Sequence, residues 1–176
     1  MARSYKFWYR MAQSVLQYYH MPKLQQEKKP ALLNTALSSL TNALLCLDKL
    51  TIPTSQQLKN ITNFTNLQEE NIEAIIMKMK AESLRFRHST LTLMCYVSLG
   101  LGLWRKVIRI GQPLLEDKKF DQKNRVNVLH YIIEAQSQLG KSTLILRQYL
   151  DHLQAELSRE HIQTEALYLH KEQEIV

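Results

Sequence analysis

The chain has 176 residues and a mass of 20.7 kDa, room for one domain or a short run of repeats but not for two large domains. Its 45% apolar and 22% charged residues exclude disorder over most of the length, and four Gly and four Pro are too few for the turns of a multi-stranded β protein. The 23 Lys and Arg against 16 Asp and Glu leave a charge of +7, which suits an acidic partner or RNA, although no basic run exceeds two residues.

The first helix is expected over residues 5–20, where Phe7, Trp8, Met11, Val15, Leu16 and Tyr19 recur at steps of three and four. Residues 21–30, bracketed by Pro22 and Pro30, read as a polar insertion or linker. A second helix follows over 31–50 on a stripe of Leu33, Leu37, Leu40, Leu44 and Leu47, with Ala36 and Ala43 beside it. Residues 54–66 are rich in Ser, Thr, Asn and Gln and read as a polar loop. The sequons Asn60-Ile61-Thr62 and Asn63-Phe64-Thr65 fall in it.

From Leu67 to Leu99 there is neither Pro nor Gly, giving one long helix or two with a break near Ala81–Ser83. Gly100 and Gly102 close it. A helix over 103–116 has Pro113 near its end, Asp121 caps the next over 122–139, and Gly140 stops it. Ser142 caps a helix over 143–157, and Ser158 opens a last, polar one over 158–176. Cys46 and Cys95, the only cysteines, lie in apolar stretches where Cys acts as a small buried hydrophobe, so no disulfide is expected.

The expected class is all-α: one domain over 1–176 of antiparallel helical hairpins, stacked as a tetratricopeptide-like right-handed superhelix. Leu101-Gly102 and Leu139-Gly140 end two helices on the same phrase, 38 residues apart. In a tetratricopeptide unit, small residues let paired helices approach and large ones fill the space between hairpins. Trp8-x2-Met11-Ala12-x2-Val15 fits the first helix of such a unit, and Ala36-x3-Leu40-x2-Ala43 fits the second. Two looser units pair Leu91-x2-Met94-Cys95-x2-Ser98 with Val107-x3-Gly111-x2-Leu114, and Leu129-x2-Ile132-Ile133-x2-Gln136 with Ile145-x3-Tyr149-x2-His152.

No catalytic constellation appears, and the chain is expected not to be an enzyme. Gly140-Lys141-Ser142-Thr143 resembles the tail of a phosphate loop, but Ala135 stands where the first glycine belongs, inside a helix. The six histidines lack the i,i+4 spacing of a zinc helix and the two cysteines are 49 residues apart, so neither metal nor cofactor is expected. There is no run of about 18 consecutive apolar residues to cross a bilayer. Residues 1–19 are basic and amphipathic, so a mitochondrial presequence is an alternative reading of the start.

In this repeat register Lys6, Tyr9 and Gln13, then Thr92 and Tyr96, then His130 and Glu134 face the inner surface, and they are the candidate partner contacts. The alternative is an RNA-binding or ribonucleoprotein-associated subunit that uses Arg85 and Arg87, which flank Phe86, together with Arg105, Lys106 and Arg109.

Phe7-Trp8-Tyr9-Arg10-Met11-Ala12, followed after an insertion by Leu40-Thr41-Asn42-Ala43-Leu44-Leu45-Cys46-Leu47, resembles the signature region of the tetratricopeptide subunit ten family of the Ccr–Not mRNA deadenylase complex. The segments Ala81–Leu91, Cys95–Gly102 and Val128–Gly140, with Glu134-Ala135, resemble later helices of that family in the same order. The resemblance covers Phe7–Leu50 and Leu84–Leu150. Gly100-Leu101-Gly102-Leu103-Trp104 departs from the family's Ala-Leu-Gly-Asp turn, and the chain is shorter than full-length members. The resemblance implies a non-catalytic scaffold in mRNA decay and translational repression, cytoplasmic with the nucleus as a second compartment. It also implies two protein partners, subunit eleven of the complex and the large Not scaffold.

Overall fold

The computed structural model describes residues 4–22, 24–57, 69–140, 145 and 147–158. Among them every regular element is helical: α1 Tyr5–Tyr19, a short 3-10 turn Gln26–Lys28, α2 Lys29–Asp48, α3 Glu69–Gly100, α4 Trp104–Glu116 and α5 Gln122–Gln138. Residues 55–57 form one further helical turn, and residues 147–158, here α6, are helical.

Local chemistry sets most of these boundaries. Ser4 starts α1 by accepting the Phe7 N–H on its hydroxyl at 3.4 Å, and Asp121 starts α5 by accepting the Asn124 N–H at 3.3 Å. α2 begins two residues earlier than the Pro30 boundary suggested. Proline lacks an N–H, but the first turn has no use for one, so Pro30 sits inside it. The segment read as a loop from residue 54 opens instead with a capping box: the Gln57 N–H donates to Thr54 Oγ1 at 3.3 Å, and the Thr54 N–H donates to Gln57 Oε1 at 3.0 Å. Residues 58–66 of that loop lie outside the described residues. So do the Ser142 cap and the helix expected beyond Ser158. Ser158 itself is still helical and returns its hydroxyl to the Gln154 carbonyl at 2.9 Å.

α3 runs unbroken for 32 residues, about 48 Å, without the break considered near Ala81–Ser83. Its end is a Schellman motif. Gly102 adopts φ 71°, its N–H donates to the Leu99 carbonyl at 3.0 Å, and the Leu103 N–H reaches the Ser98 carbonyl at 2.9 Å. Gly140 repeats the positive φ at 63° after α5, which explains why both Leu-Gly phrases stop helices.

The helices alternate in direction. Gly100 of α3 lies against Leu33, near the start of α2, while Arg87 pairs with Asp48 at the end of α2, so α2 and α3 are antiparallel. Lys6 meets Glu82 and His20 meets Tyr96, so α1 runs parallel to α3 and antiparallel to α2. α4 returns antiparallel through residues 101–103, and α5 reverses again, with Gly111 against Ile132 and Val128.

α3 is the shared spine. On one side Met94 and Val97 close a core with Ala12 and Leu16 of α1 and Leu33, Ala36 and Leu40 of α2. On the other, Cys95 packs with Val107 of α4 and Ala135 of α5. A third cluster joins Leu114, Phe120, Val128 and Ile132. Tyr149 of α6 packs against it, and its hydroxyl accepts from Gln112 Nε2 at 2.8 Å. Thr35, Ser39 and Thr41 do not interrupt α2, because each hydroxyl donates to the carbonyl four residues back at 2.9 Å.

The α4–α5 corner is tied by polar contacts. His88 Nε2 lies 2.9 Å from Asp117 Oδ2, and its ring meets Phe120 edge-on at 5.2 Å. Arg125 donates to the carbonyls of Leu115 and Asp117. The Lys119 N–H, above all, and His88 hold the Asp117 carboxyl below the usual carboxylate range.

The segment Gln26–Asp48 is long and apolar enough to cross a membrane by length and composition, a property not apparent from the absence of a continuous apolar run. Here six of its residues, Leu33, Ala36, Ser39, Leu40, Ala43 and Leu47, are buried, and a core helix passes the same test.

Burial pushes the Cys95 thiol up to about 12. The native protein at pH 8 is therefore expected to leave Cys95 unmodified by iodoacetamide, with full reaction after denaturation, since the thiolate is the nucleophile. Mass-spectrometric mapping of the alkylated site checks this, and rapid native labelling of Cys95 would contradict its placement between α3, α4 and α5.

Candidate functional site

The three parallel helices α1, α3 and α5 are joined on one side by aromatic and charged side chains, and α3 and α5 also approach closely in backbone. Periodicity places these groups. Tyr5 and Tyr9 are one turn apart on α1 and both reach Phe86 of α3 edge-on, at ring distances of 5.1 and 5.6 Å. Lys6 lies between them, its ammonium 5.7 Å from the Phe86 ring centre and 2.5 Å from Glu82 Oε1. Each charge favours the other: Glu82 holds the Lys6 ammonium above its usual range, and Lys6 holds the Glu82 carboxyl below its own.

Farther along, His20 at the end of α1 stacks on Tyr96 of α3 at 6.0 Å, with Nε2 3.0 Å from the Tyr96 hydroxyl. Tyr96 in turn lies 5.9 Å from Tyr131 of α5, which has His130 beside it. Burial raises the phenol pKa of Tyr9, Tyr96 and Tyr131. For Tyr9, Ser89 and Arg85 pull the other way. For Tyr96, Tyr19 adds to the rise, and for Tyr131, Tyr96 and Cys95 do. All three hydroxyls stay neutral at physiological pH, able to donate and accept hydrogen bonds.

Two open clefts flank this band. One, of about 600 Å³, lies between α1 and α3 and is lined by Tyr9, Lys78, Ala81, Glu82, Arg85, Phe86 and Ser89. The other, of about 510 Å³, lies at the α3–α4 turn and is lined by Gly102, Leu103, Trp104, Arg105, Lys106 and Arg109.

Of the candidate partner contacts, Lys6 and Gln13 are exposed, Tyr9 and Tyr96 are half-buried in the aromatic band, and His130 and Glu134 are exposed on α5. Glu134 accepts from Gln138 Nε2 at 3.0 Å. Thr92 is a correction. It is only 7% exposed and its hydroxyl is given to the His88 carbonyl at 2.9 Å, so it belongs to the interior of α3 and offers nothing to a partner.

The basic candidates also separate. Arg85 lines the α1–α3 cleft, Phe86 is held by Tyr5 and Tyr9, and Arg87 turns away to Asp48 of α2. The expected aromatic flanked by two co-operating arginines is therefore not formed. Arg105, Lys106 and Arg109 do share one cleft, and none has an ion-pair partner among the described residues. Sequence reasoning missed Tyr5, His20 and Tyr131 as parts of the band. The Tyr5–Tyr9 spacing could have signalled the first, but nothing local signals that His20 meets Tyr96 across 76 positions.

Among the described residues no three His, Cys, Asp or Glu side chains gather as metal ligands. Comparison with protein-family models, with curated proteins and with solved structures finds no match to this chain.

Proposed function

We propose that the chain is a non-catalytic scaffold whose hairpins form a tetratricopeptide-like right-handed superhelix, and that its α1–α3–α5 side binds a partner subunit in a multi-protein complex. The observation that carries this reading is the aromatic band. Tyr9, Tyr96 and Tyr131 bridge three helices, each already held by a ring or hydroxyl neighbour, so a partner orders few side chains on docking. Tyrosines of this kind supply large contact area and a polar tip, the chemistry of interface anchors. The resemblance over Phe7–Leu50 and Leu84–Leu150 points to the Ccr–Not complex of mRNA deadenylation, with subunit eleven and the large Not scaffold as partners, in the cytoplasm and nucleus.

The test is co-expression with subunit eleven and with the amino-terminal region of the large Not scaffold, followed by size-exclusion chromatography. Co-elution is expected. Tyr96→Ala and Tyr131→Ala should each weaken it about tenfold or more, since a central aromatic anchor is worth about 2 kcal/mol.

A second reading, RNA binding, is favoured by one observation, the cluster of Arg105, Lys106 and Arg109 around Trp104, which have no ion-pair partner among the described residues. Salt separates the two. Phosphate binding falls steeply between about 50 and 200 mM salt, whereas an interface carried mainly by aromatic contacts falls far less. A chain that co-elutes with neither subunit yet binds RNA with a steep salt slope lost in Arg105→Glu would replace the first reading by the second.

A further inference from the structure

We propose that the cleft between α1 and α3 receives an acidic segment of a partner protein, which places one apolar side chain over Ala81, beside the packed Tyr9–Phe86 ring pair, and sets its carboxylates against Lys78 and Arg85. This rests on the scaffold reading above and names the chemistry of what that side of the molecule binds.

The cleft wall is one face of α3. Lys78, Ala81, Glu82, Arg85, Phe86 and Ser89 follow one another at alternating steps of three and one, so they form a continuous strip, and Tyr9 of α1 closes the opposite side. Ala81 and Ser89 are the small residues of the strip, and the exposed Ala81 leaves the floor open. A volume of about 600 Å³ is in the range that takes a compact ligand group.

The charge is one-sided. Among the described residues Glu82 is the only carboxylate lining the cleft, and Lys6 already neutralises it at 2.5 Å. Lys78 and Arg85 have no ion-pair partner among the described residues. The field in the cleft is therefore positive over an apolar floor. An acidic segment with an apolar anchor complements both features, and the charges raise its rate of encounter.

Nucleic acid fits less well. Stacking a base needs an open ring face, and here Phe86 has Lys6 against its ring with the Tyr5 and Tyr9 rings packed at 69° and 87° to it.

The full chain is titrated with a fluorescent peptide of repeated Glu-Glu-Leu. The comparison probes are a Lys-Lys-Leu peptide, a Glu-Glu-Ser peptide and single-stranded oligouridine. The Glu-Glu-Leu peptide should bind, and the other three should bind at least about tenfold more weakly. Arg85→Glu and Ala81→Trp should each weaken it by a similar factor. Both replace exposed residues, and circular dichroism confirms that the helices persist. Equal binding of the Ser peptide, tighter binding of RNA at this cleft, no binding of the Glu-Glu-Leu peptide, or indifference to both substitutions would overturn the proposal. The scaffold reading fails separately. If the Ccr–Not subunits co-elute with Arg85→Glu and Ala81→Trp as tightly as with the parent, the cleft is wrong and the scaffold stands. If the peptide binds in the cleft but neither subunit co-elutes, the assignment to that complex is wrong and the cleft stands.

Discussion

Leu40→Ala should lower the unfolding free energy by about 4 kcal/mol, toward the upper end of the range for deleting a buried leucine side chain. Leu40 is fully buried in α2, in the one cluster that joins α1, α2 and α3. Relaxation into the space it leaves is poor. Ala12, Ala36 and Ala43 are all 0% exposed, and alanines have no side chain to swing into a void. A loss of that size is a large part of the roughly 5–15 kcal/mol that holds a domain together. For a chain of this length it corresponds to a fall in Tm of about 8–16 °C.

The damage should also be local first. The cluster around Leu40 involves α1, α2 and α3, whereas Val107, Leu114, Val128 and Ile132 belong to the clusters beyond α3. Hydrogen exchange should therefore accelerate in α1 and α2 before α4 and α5. Thermal melts and exchange mapping check both parts. A melting point within a degree or two of the parent would show that Leu40 does not hold the junction.

The same small-and-large pattern made much of the fold legible in advance. Ala12, Ala36, Leu40 and Ala43 stand out at helical spacing, and each is buried where that spacing puts it. Gly102 and Gly140 announce helix ends because only a residue without a Cβ takes a positive φ at no cost. Other features depend on events a composition window averages away. The Thr54–Gln57 capping box lies in a stretch that looks polar and featureless, although the pair itself was there to be read. The continuity of α3 through Ala81–Ser83 follows from nothing breaking it.

The candidate site was legible by element and not by contact. Tyr9 and Tyr96 were placed from a repeat register. Thr92 took the same register position and is buried, because the neighbours that close over a face belong to other helices. Arg85 and Arg87 are two residues apart, yet one lines the α1–α3 cleft and the other turns to α2. Sequence proximity cannot tell which of two flanking arginines a partner would meet.

Gly111→Leu should be the most damaging change outside the Leu40 cluster, at about 3 kcal/mol, the upper end of what overpacking a core costs. In α2 the small positions are Ala36 and Ala43, flanking Leu40. In α4 the sizes are reversed, with Val107 and Leu114 flanking Gly111, so the close approach to the next helix moves to the centre of the strip. A Cβ placed on Gly111 would lie 2.8 Å from Ile132 Cδ1, 3.0 Å from Ile132 Cγ1 and 3.1 Å from Val128 Cγ1. Both neighbours are 0% exposed, so neither can move aside into solvent.

Gly111→Ala separates the two forces at this site. Alanine gains about 1 kcal/mol of helix propensity over glycine, against an overpacking cost of about 1–3 kcal/mol. Its net effect should be a loss near 1 kcal/mol. Leucine gains no more propensity and adds bulk that must push α4 and α5 apart. That separation would strain the Arg125 bonds to the Leu115 and Asp117 carbonyls and open the packing over Cys95. Gly111→Leu should therefore show a lower Tm together with faster native alkylation of Cys95, with Gly111→Ala intermediate in both. Equal stability of all three proteins would mean that α4 and α5 do not meet as closely as Gly111 implies. The pairing of α4 with α5 would then need a different basis.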